Sequence, residues 1–201
     1  MMNRKGTRMR TALVTGATRG TGRVLATMLA DAGWRVHALG RDRLVLDELR
    51  ASHGIMPMHA DLTDRDQLRA LTDELEVDAL VHAALRLPDT PGFTELTEAE
   101  IDMALEVNLS ATLHLSHALL DGLTARRGDL VIALPEGAGL LPRTLAAALT
   151  EFAAGLTAEL PADAPQVHTL PCGPTPEAAA RRLRMMLAAQ STPERTRNSA
   201  K

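Results

Sequence analysis

The sequence contains no tyrosine, a single cysteine and only two lysines, Lys5 and Lys201. One cysteine, Cys172, excludes a disulfide within the chain and is typical of a reducing compartment, so we expect a cytoplasmic protein. No stretch approaches the roughly 20 apolar residues that span a bilayer, which argues against a membrane partner. The formal net charge of −3, with both signs interspersed, argues against a nucleic-acid partner.

What the sequence does contain is a regular alternation of short apolar runs with longer segments of helical periodicity. This alternation is typical of βαβ units around a parallel sheet. The predicted strands span residues 11–16, 35–40, 55–60, 78–84, 129–134 and 166–171. The pattern predicts a three-layer, doubly wound α/β domain of about six strands, and the length of 201 residues fits one domain.

Domain and helix boundaries follow from local signals. We predict one domain over residues 10–190, with a flexible segment at 1–9 and a disordered tail at 191–201. Helix ends are marked by Gly33 as a C-terminal stop, by Thr63 or Asp64 as an N-cap, and by a capping box formed by Thr97 and Glu100. The helix that begins at this capping box is long and apolar on more than one face, so we expect it to be buried, with a second subunit as one candidate cover.

The segment TGATRGTG, residues 15–22, lies between the first predicted strand and the first predicted helix. Amides at a helix N-terminus bind phosphate, and glycines let the backbone approach phosphate oxygens closely. A glycine turn without a ligand is the alternative interpretation, which the strand–turn–helix context makes weaker. The candidate phosphate contacts are Gly16, Thr18, Arg19, Gly20, Thr21 and Gly22.

The Gly-x-x-x-Gly-x-Gly spacing of this segment resembles that of the short-chain dehydrogenase/reductase (SDR) family, and the resemblance covers about residues 10–180. The segments ADLTD, DALVHAA, VNLSA and PCGPT resemble later family motifs in the same chain order. The resemblance implies a Rossmann-like fold that binds a nicotinamide dinucleotide. The further cofactor contacts that it implies are Asp61, Leu62, Ala83, Ala84, Asn108, Gly173 and Thr175.

The end of the second predicted strand bears on the choice of cofactor. In NAD-preferring folds this strand usually ends in a carboxylate that binds the ribose hydroxyls. Here it ends in Gly40-Arg41, and Arg41 together with Arg19 could bind a 2′-phosphate instead. The alternative is that both are ordinary solvated arginines. We therefore predict NADP(H) in preference to NAD(H).

The residues that carry SDR catalysis are missing from this chain. In the family a tyrosine donates the proton, a lysine four residues later lowers its pKa, and a serine orients the substrate. The resemblance places the serine pair on Leu134 and Pro135, the tyrosine on Pro142 and the lysine on Ala146. The composition excludes the tyrosine independently of this alignment. Typical members are also nearer 250 residues long, with a substrate lid and a seventh strand.

Other groups could supply a proton near neutral pH. His82 lies at the end of the fourth predicted strand, although a packed residue is the likelier interpretation by resemblance. Glu136 follows the lost serine and could face the nicotinamide pocket, although a solvated carboxylate is the default. The weak catalytic candidates are His82, Asn108 and Glu136.

His114 and His117 share a helix face but lack an evident third metal ligand, so we expect core or subunit-interface histidines and no metal. Cys172 is near the predicted nicotinamide side but has no neighbouring histidine in the sequence, so we expect a small buried hydrophobe.

Three functions remain open. The first is an NADP(H)-binding SDR-like protein that has lost redox catalysis and acts as a pseudoenzyme or accessory subunit. The second is an atypical NADPH-dependent ketoreductase or enone reductase that uses another acid or a water molecule. The third is a non-redox cyclase, isomerase or dehydratase acting on an unknown small molecule. The family resemblance implies a homo-oligomer or a heteromer with an intact SDR.

Overall fold

The computed structural model describes residues 8–89, 92–161, 164–172 and 175–189, and it shows one parallel sheet between two layers of helices. The sheet has six strands in the order β3-β2-β1-β4-β5-β6, which confirms the doubly wound prediction. The strands are β1 (Thr11–Thr15), β2 (Arg35–Gly40), β3 (Met56–His59), β4 (Ala79–His82), β5 (Asp129–Leu134) and β6 (Gln166–Pro171). All neighbouring strands pair in parallel.

Helices connect these strands and cover both faces of the sheet. They are α1 (Gly20–Asp31), α2 (Arg43–His53), α3 (Arg65–Thr72), α4 (Glu98–Leu105), α5 (Ala111–Arg126), α6 (Leu140–Glu159) and α7 (Pro176–Ala189). A 3₁₀ turn spans Phe93–Glu95, and a π-helical turn spans Glu106–Ser110. None of the described helices is long and apolar enough to cross a membrane.

Two hydrophobic clusters pack on opposite faces of the sheet because successive strand side chains alternate. Val14 of β1 faces a cluster that includes side chains of α1, α2 and α7. Its neighbour Leu13 faces a second cluster that includes side chains of α3, α5 and α6. Since both faces are covered, the strands read as continuous apolar runs rather than as alternating ones.

Several predicted helix ends are present. The Asp64 carboxylate accepts a hydrogen bond from the Gln67 amide, so Asp64 is the N-cap of α3. Thr97 and Glu100 form the reciprocal capping box at the start of α4. Gly33 lies just beyond α1 with a positive φ of 86°, as expected for a residue that ends a helix.

The long helix predicted after the capping box is present over residues 98–126, but a π-helical turn that the sequence did not predict interrupts it. The π-helical turn divides it into α4 and α5. Within this turn the side-chain amide of Asn108 donates to the carbonyl oxygens of Ala104, at 2.7 Å, and of Arg86, at 2.6 Å. Such turns are rare inside helices and frequent at functional sites.

Ion pairs between arginines and buried aspartates lie at the edge of the sheet where the strands begin. The fully buried Asp129 carboxylate accepts from the Arg10 guanidinium at 2.8 Å. The buried Asp78 carboxylate accepts from the Thr11 amide and pairs with Arg8. Apart from Arg8 and the following residue, the segments predicted as flexible or disordered lie outside the described residues.

Candidate functional site

The junction between β1 and α1 contains two glycines, Gly16 and Gly22, at which a larger residue could not be placed without a shift. Gly16 has a positive φ of 66°, and a Cβ atom there would lie 2.5 Å from the Cα atom of Ala84. A Cβ atom on Gly22 would overlap the carbonyl oxygen of Gly16. The loop therefore packs directly against the end of β4, and the N-terminus of α1 begins at the same point. No side chain caps this helix N-terminus.

Thr15 joins the ends of β1 and β4. Its hydroxyl oxygen accepts hydrogen bonds from the backbone amides of Ala83, at 3.1 Å, and Ala84, at 3.2 Å. The hydroxyl is buried, so these bonds are shielded from water. They hold the segment after β4 against the glycine loop.

A cavity of about 300 Å³ lies at the carboxyl ends of β1 to β4, where ligands bind in doubly wound folds. Its lining residues are Gly16, Thr18, Arg19, Gly20, Thr21, Leu39, Gly40, Arg41, Ala60, Asp61, Leu62, Ala83, Ala84, Leu85, Arg86, Met103 and Val107. Most of the lining is apolar, and the charged side chains on it are three arginines and one aspartate. This balance favours a ligand that combines an apolar ring with anionic groups.

Asp61 is the acidic residue of this lining. Hydrogen bonds from the backbone and hydroxyl of Thr63 hold the pKa of its carboxyl below the usual value, and the nearby Arg41 guanidinium adds to this effect. Arg41 and Asp61 lie 3.5 Å apart, and both side chains are largely exposed. The carboxylate is therefore ionised at neutral pH, and the exposed pair is weak enough to open for a competing anion.

The cavity brings together ten of the residues predicted to contact a cofactor. They are Gly16, Thr18, Arg19, Gly20, Thr21, Arg41, Asp61, Leu62, Ala83 and Ala84. Gly22, Asn108 and Thr175 are not on its lining, and Gly173 lies outside the described residues. Gly22 permits the close contact with Gly16 instead.

Asn108 is buried beneath the cavity and holds the backbone of Arg86 from both sides. Its side-chain oxygen accepts from the Arg86 amide at 3.1 Å, and its side-chain nitrogen donates to the Arg86 carbonyl oxygen. Both polar atoms of the Asn108 side chain therefore hold the backbone of Arg86 in place. The structure assigns Asn108 a positioning role rather than a contact with a ligand.

His82 ends β4 as predicted, but its side chain is buried away from the cavity. The ring Nε2 atom lies 3.0 Å from the Ser116 hydroxyl on α5. Burial lowers the pKa of His82 to about 3, so the ring is neutral at physiological pH. The burial agrees with the packed residue that the sequence favoured over a proton donor, because strand alternation turns the side chain toward α5.

Glu136 does not lie on the first cavity, and its candidate role toward the nicotinamide stays a prediction. It lies on a second cavity of about 250 Å³, whose lining also includes Asp89, Phe93 and Pro142. Cys172 is buried, and its burial, followed by the charge of Glu136, raises the pKa of its thiol. A thiol of this kind is a poor nucleophile at neutral pH.

The positions that resemble the family's tyrosine and lysine lie on the first two turns of α6. Pro142 lines the second cavity, and Ala146 follows one turn later on the same face. His114 and His117 are both exposed on α5, so they are not core histidines. Among the described residues no group of three His, Cys, Asp or Glu side chains could hold a metal ion.

A family model for short chain dehydrogenases matches residues 10–180 of this sequence. The chain belongs to the SDR family. Among curated proteins, a short-chain type dehydrogenase/reductase of Sinorhizobium fredii is 36% identical over 135 residues, which is 67% of this chain and 54% of that protein. The Homo sapiens L-xylulose reductase is 40% identical over 119 residues, which is 58% of this chain and 48% of that protein.

Solved SDR structures share the fold. A short-chain dehydrogenase from Streptomyces avermitilis superposes with a TM-score of 0.82 at 24% identity, over 94% of this chain and 87% of the other. A metagenomic short-chain oxidoreductase in complex with NADP gives a TM-score of 0.78 at 23% identity, over 88% of this chain and 89% of the other. The chain spans about half the length of the curated relatives that it matches.

Sequence reasoning missed seven residues of the lining. They are Leu39, Gly40, Ala60, Leu85, Arg86, Met103 and Val107. Leu39, Gly40 and Ala60 lie at the ends of predicted strands and Leu85 directly after one, so the rule that ligands bind at strand carboxyl ends could have found all four. Met103 and Val107 are spaced by four residues just before Asn108, a helical spacing that puts both on one face. Arg86 had no sequence signal beyond its place after the fourth strand.

Proposed function

We propose that this chain is an NADP(H)-binding SDR protein that lacks the family's Ser/Tyr/Lys residues and works as a pseudoenzyme or accessory subunit. The observation that carries the proposal is the combination of a cavity rimmed by arginines with a sequence that contains no phenol. The cavity favours retained binding of a dinucleotide, whereas the composition argues against the usual proton donor.

The preference for NADP(H) is supported by the side chains at the end of β2. Arg41 lies on the cavity in the place where an NAD-preferring fold usually has a carboxylate. Arg19 lies on the same cavity, and an arginine binds phosphate with two parallel hydrogen bonds. The exposed Arg41–Asp61 pair can exchange its carboxylate for a phosphate at little cost.

The absence of redox catalysis is supported by the positions of the two candidate proton donors, His82 and Glu136. His82 is neutral and buried against Ser116, so it cannot protonate a substrate in the cavity. Glu136 lies on the second cavity, which shares no described lining residue with the first. Pro142 and Ala146 carry no titratable group.

A turnover assay of the full chain tests this proposal. NADPH absorbance would be followed with L-xylulose and with a 3-oxoacyl-CoA, the substrate classes named for the similar reductases. An active short-chain reductase serves as the positive control. We expect no NADPH oxidation above the rate in buffer, although NADPH binds. Sustained oxidation with either substrate would contradict the proposal.

The second candidate is an atypical NADPH-dependent reductase, favoured by the position of Glu136 on a cavity beside the residue that resembles the lost tyrosine, Pro142. In that case Glu136 would donate the proton. A Glu136→Gln substitution would then abolish turnover while NADPH still binds.

The proposed role as a subunit is supported by the outer surface of α4 and α5. Leu105 and Leu113 are large apolar side chains that stay 40% and 38% exposed. The resemblance to the family implies a homo-oligomer, or a heteromer with an intact SDR, through these helices.

A further inference from the structure

The two outer strands of the sheet, β3 and β6, differ in how well their open sides are protected. An edge strand presents backbone amides and carbonyl oxygens that can pair with a further strand. Proteins prevent such pairing with prolines, with charged side chains or with a very short strand. β3 has four residues, whereas β6 has six.

The open side of β3 lacks one of its amides. The Ala60 amide donates to the Gly40 carbonyl oxygen at 3.1 Å, so every second residue counted back from Ala60 bonds to β2. Pro57 lies at an alternate position and faces outward, where its nitrogen has no hydrogen to donate. A short strand with an outward proline is a poor template for a further strand.

β6 has no such protection along its middle. The Gln166 amide donates to the Gly128 carbonyl oxygen at 3.0 Å, so Gln166 and every second residue after it bond to β5. Val167 and Thr169 therefore direct their backbone groups outward, and within the described part of the chain these groups make no hydrogen bond. The strand contains no lysine, arginine, aspartate or glutamate, and its only proline is its last residue.

Helix α7 places an exposed apolar side chain beside this open side. The Arg182 guanidinium donates to the Pro171 carbonyl oxygen at 2.7 Å, so this side of α7 lies next to the edge of β6. Met185 follows three residues later on the same side of the helix, and it is 74% exposed. Methionine is enriched at protein interfaces, so the open strand and Met185 together favour a protein partner.

An antiparallel pair of two β6 strands satisfies the outward groups symmetrically. With a twofold axis beside His168, Val167 of one copy lies opposite Thr169 of the other, and the two residues exchange both of their hydrogen bonds. The same exchange recurs on the other side of the axis. The axis is perpendicular to the sheet, so α7 and its copy lie on the same side and bring their Met185 side chains toward each other.

We propose that the open side of β6 docks β6 of a second copy of this chain and joins the two sheets into one. A second copy is favoured because the strand matches its own outward groups when reversed and carries no charged side chain of the four kinds that would repel its copy. No described residue of β6 or α7 lines either cavity. The inference therefore goes beyond the proposed function and does not depend on nucleotide binding.

Sedimentation equilibrium of the full chain over a concentration series measures this association. We expect a step that doubles the mass, with a Kd on the order of 1–100 µM, since a contact limited to one strand and one helix is small. Met185→Glu should weaken this step about tenfold or more, because it brings two carboxylates together at the axis. The matched control is Leu44→Glu, which changes an exposed apolar residue of α2 and should leave the step unchanged.

A second variant tests the strand itself. Thr169→Pro removes one outward amide and leaves the bonds to β5, so it should also weaken the step, with circular dichroism as the control for folding. In the unmodified chain, we expect hydrogen exchange of the Val167 and Thr169 amides to slow as the protein concentration rises.

Three results would overturn the proposal. The first is a monomeric mass at every concentration up to about 1 mM. The second is an association step that neither Met185→Glu nor Thr169→Pro weakens, because the copies would then meet through another surface. The third is slow exchange of both amides in the monomer, which would show that the chain itself covers this edge.

Discussion

Single side chains set the chemistry of this cavity, and the pairing of Arg41 shows how. In the structure its guanidinium faces the Asp61 carboxylate at 3.5 Å, with both groups largely exposed. Surface pairs of this kind contribute about 0–1 kcal/mol, so a phosphate can replace the carboxylate at little cost. Arg19 and Arg86 have no carboxylate partner among the described residues, so they could bind a phosphate without breaking an ion pair.

Another single residue, His82, predicts a dependence of stability on pH. Its pKa is about 3 in the folded chain and near 6.5 when unfolded, because burial disfavours the charged ring. Its contribution is fully present above pH 6.5 and is lost as the pH falls toward 3, because only the unfolded chain binds the proton in that window. At pH 5 the loss from this residue is about 2 kcal/mol, at about 1.4 kcal/mol per pH unit.

Urea unfolding at pH 7 and pH 5 measures this effect. We expect His82→Asn to lose about 2 kcal/mol less stability between these pH values than the unmodified chain. The control is His114→Asn, which changes an exposed histidine of α5 and should keep the original pH dependence. An unchanged pH dependence in His82→Asn would show that His82 is not neutral and buried in the folded chain.

The sequence predicted most of the residues that line the first cavity, but not the orientations of the side chains around it. The glycine loop and Arg41 could be found because their chemistry is tied to local spacing. The Ser116 partner of His82 and the second cavity beside Glu136 could not be predicted, because they depend on packing against α5 and on the course of a loop. Arg86 was missed because nothing local distinguishes it from a solvated arginine.

At the scale of elements, the junction of β1, its loop and α1 is the most constrained part of the fold. A Cβ atom on Gly22 would overlap the Gly16 carbonyl oxygen, whereas a Cβ atom on Gly155 of α6 would meet nothing within 4 Å. Both glycines lie in helices, so the two sites differ in packing rather than in helical context. They form a matched pair for substitution.

We expect Gly22→Ala to destabilise the chain by about 1–3 kcal/mol, because the loop must move to admit the methyl group. We expect Gly155→Ala to stabilise it by about 0.5–1 kcal/mol, because alanine favours a helix interior. Thermal unfolding of both variants measures the difference. Equal stability of the two variants would contradict the close contact between Gly22 and Gly16.

The elements themselves were largely predictable from periodicity. All six described strands begin and end within two residues of the predicted bounds, because apolar runs between turn signals mark them directly. The N-caps at Asp64 and Thr97 were predictable because capping depends on near neighbours. The π-helical turn at Glu106–Ser110 was not, since it is held by bonds from Asn108 to a loop more than twenty residues earlier.

At the scale of the whole molecule, charge is divided between the two edges of the sheet. The edge where the strands begin holds carboxylates already paired with arginines, such as Asp129 with Arg10. The edge where they end holds arginines of the cavity, of which only Arg41 has a carboxylate partner among the described residues. Binding of an anionic ligand is therefore favoured at the second edge, where the fold class also predicts it.

We propose that this chain binds NADPH and that Arg41 sets the preference over NADH. The most direct test is calorimetric titration of the unmodified chain and of Arg41→Ser with each dinucleotide. We predict that NADPH binds the unmodified chain about tenfold or more tightly than NADH, and that Arg41→Ser removes most of this difference. No binding of either dinucleotide to the unmodified chain would show that this cavity does not bind NADP(H).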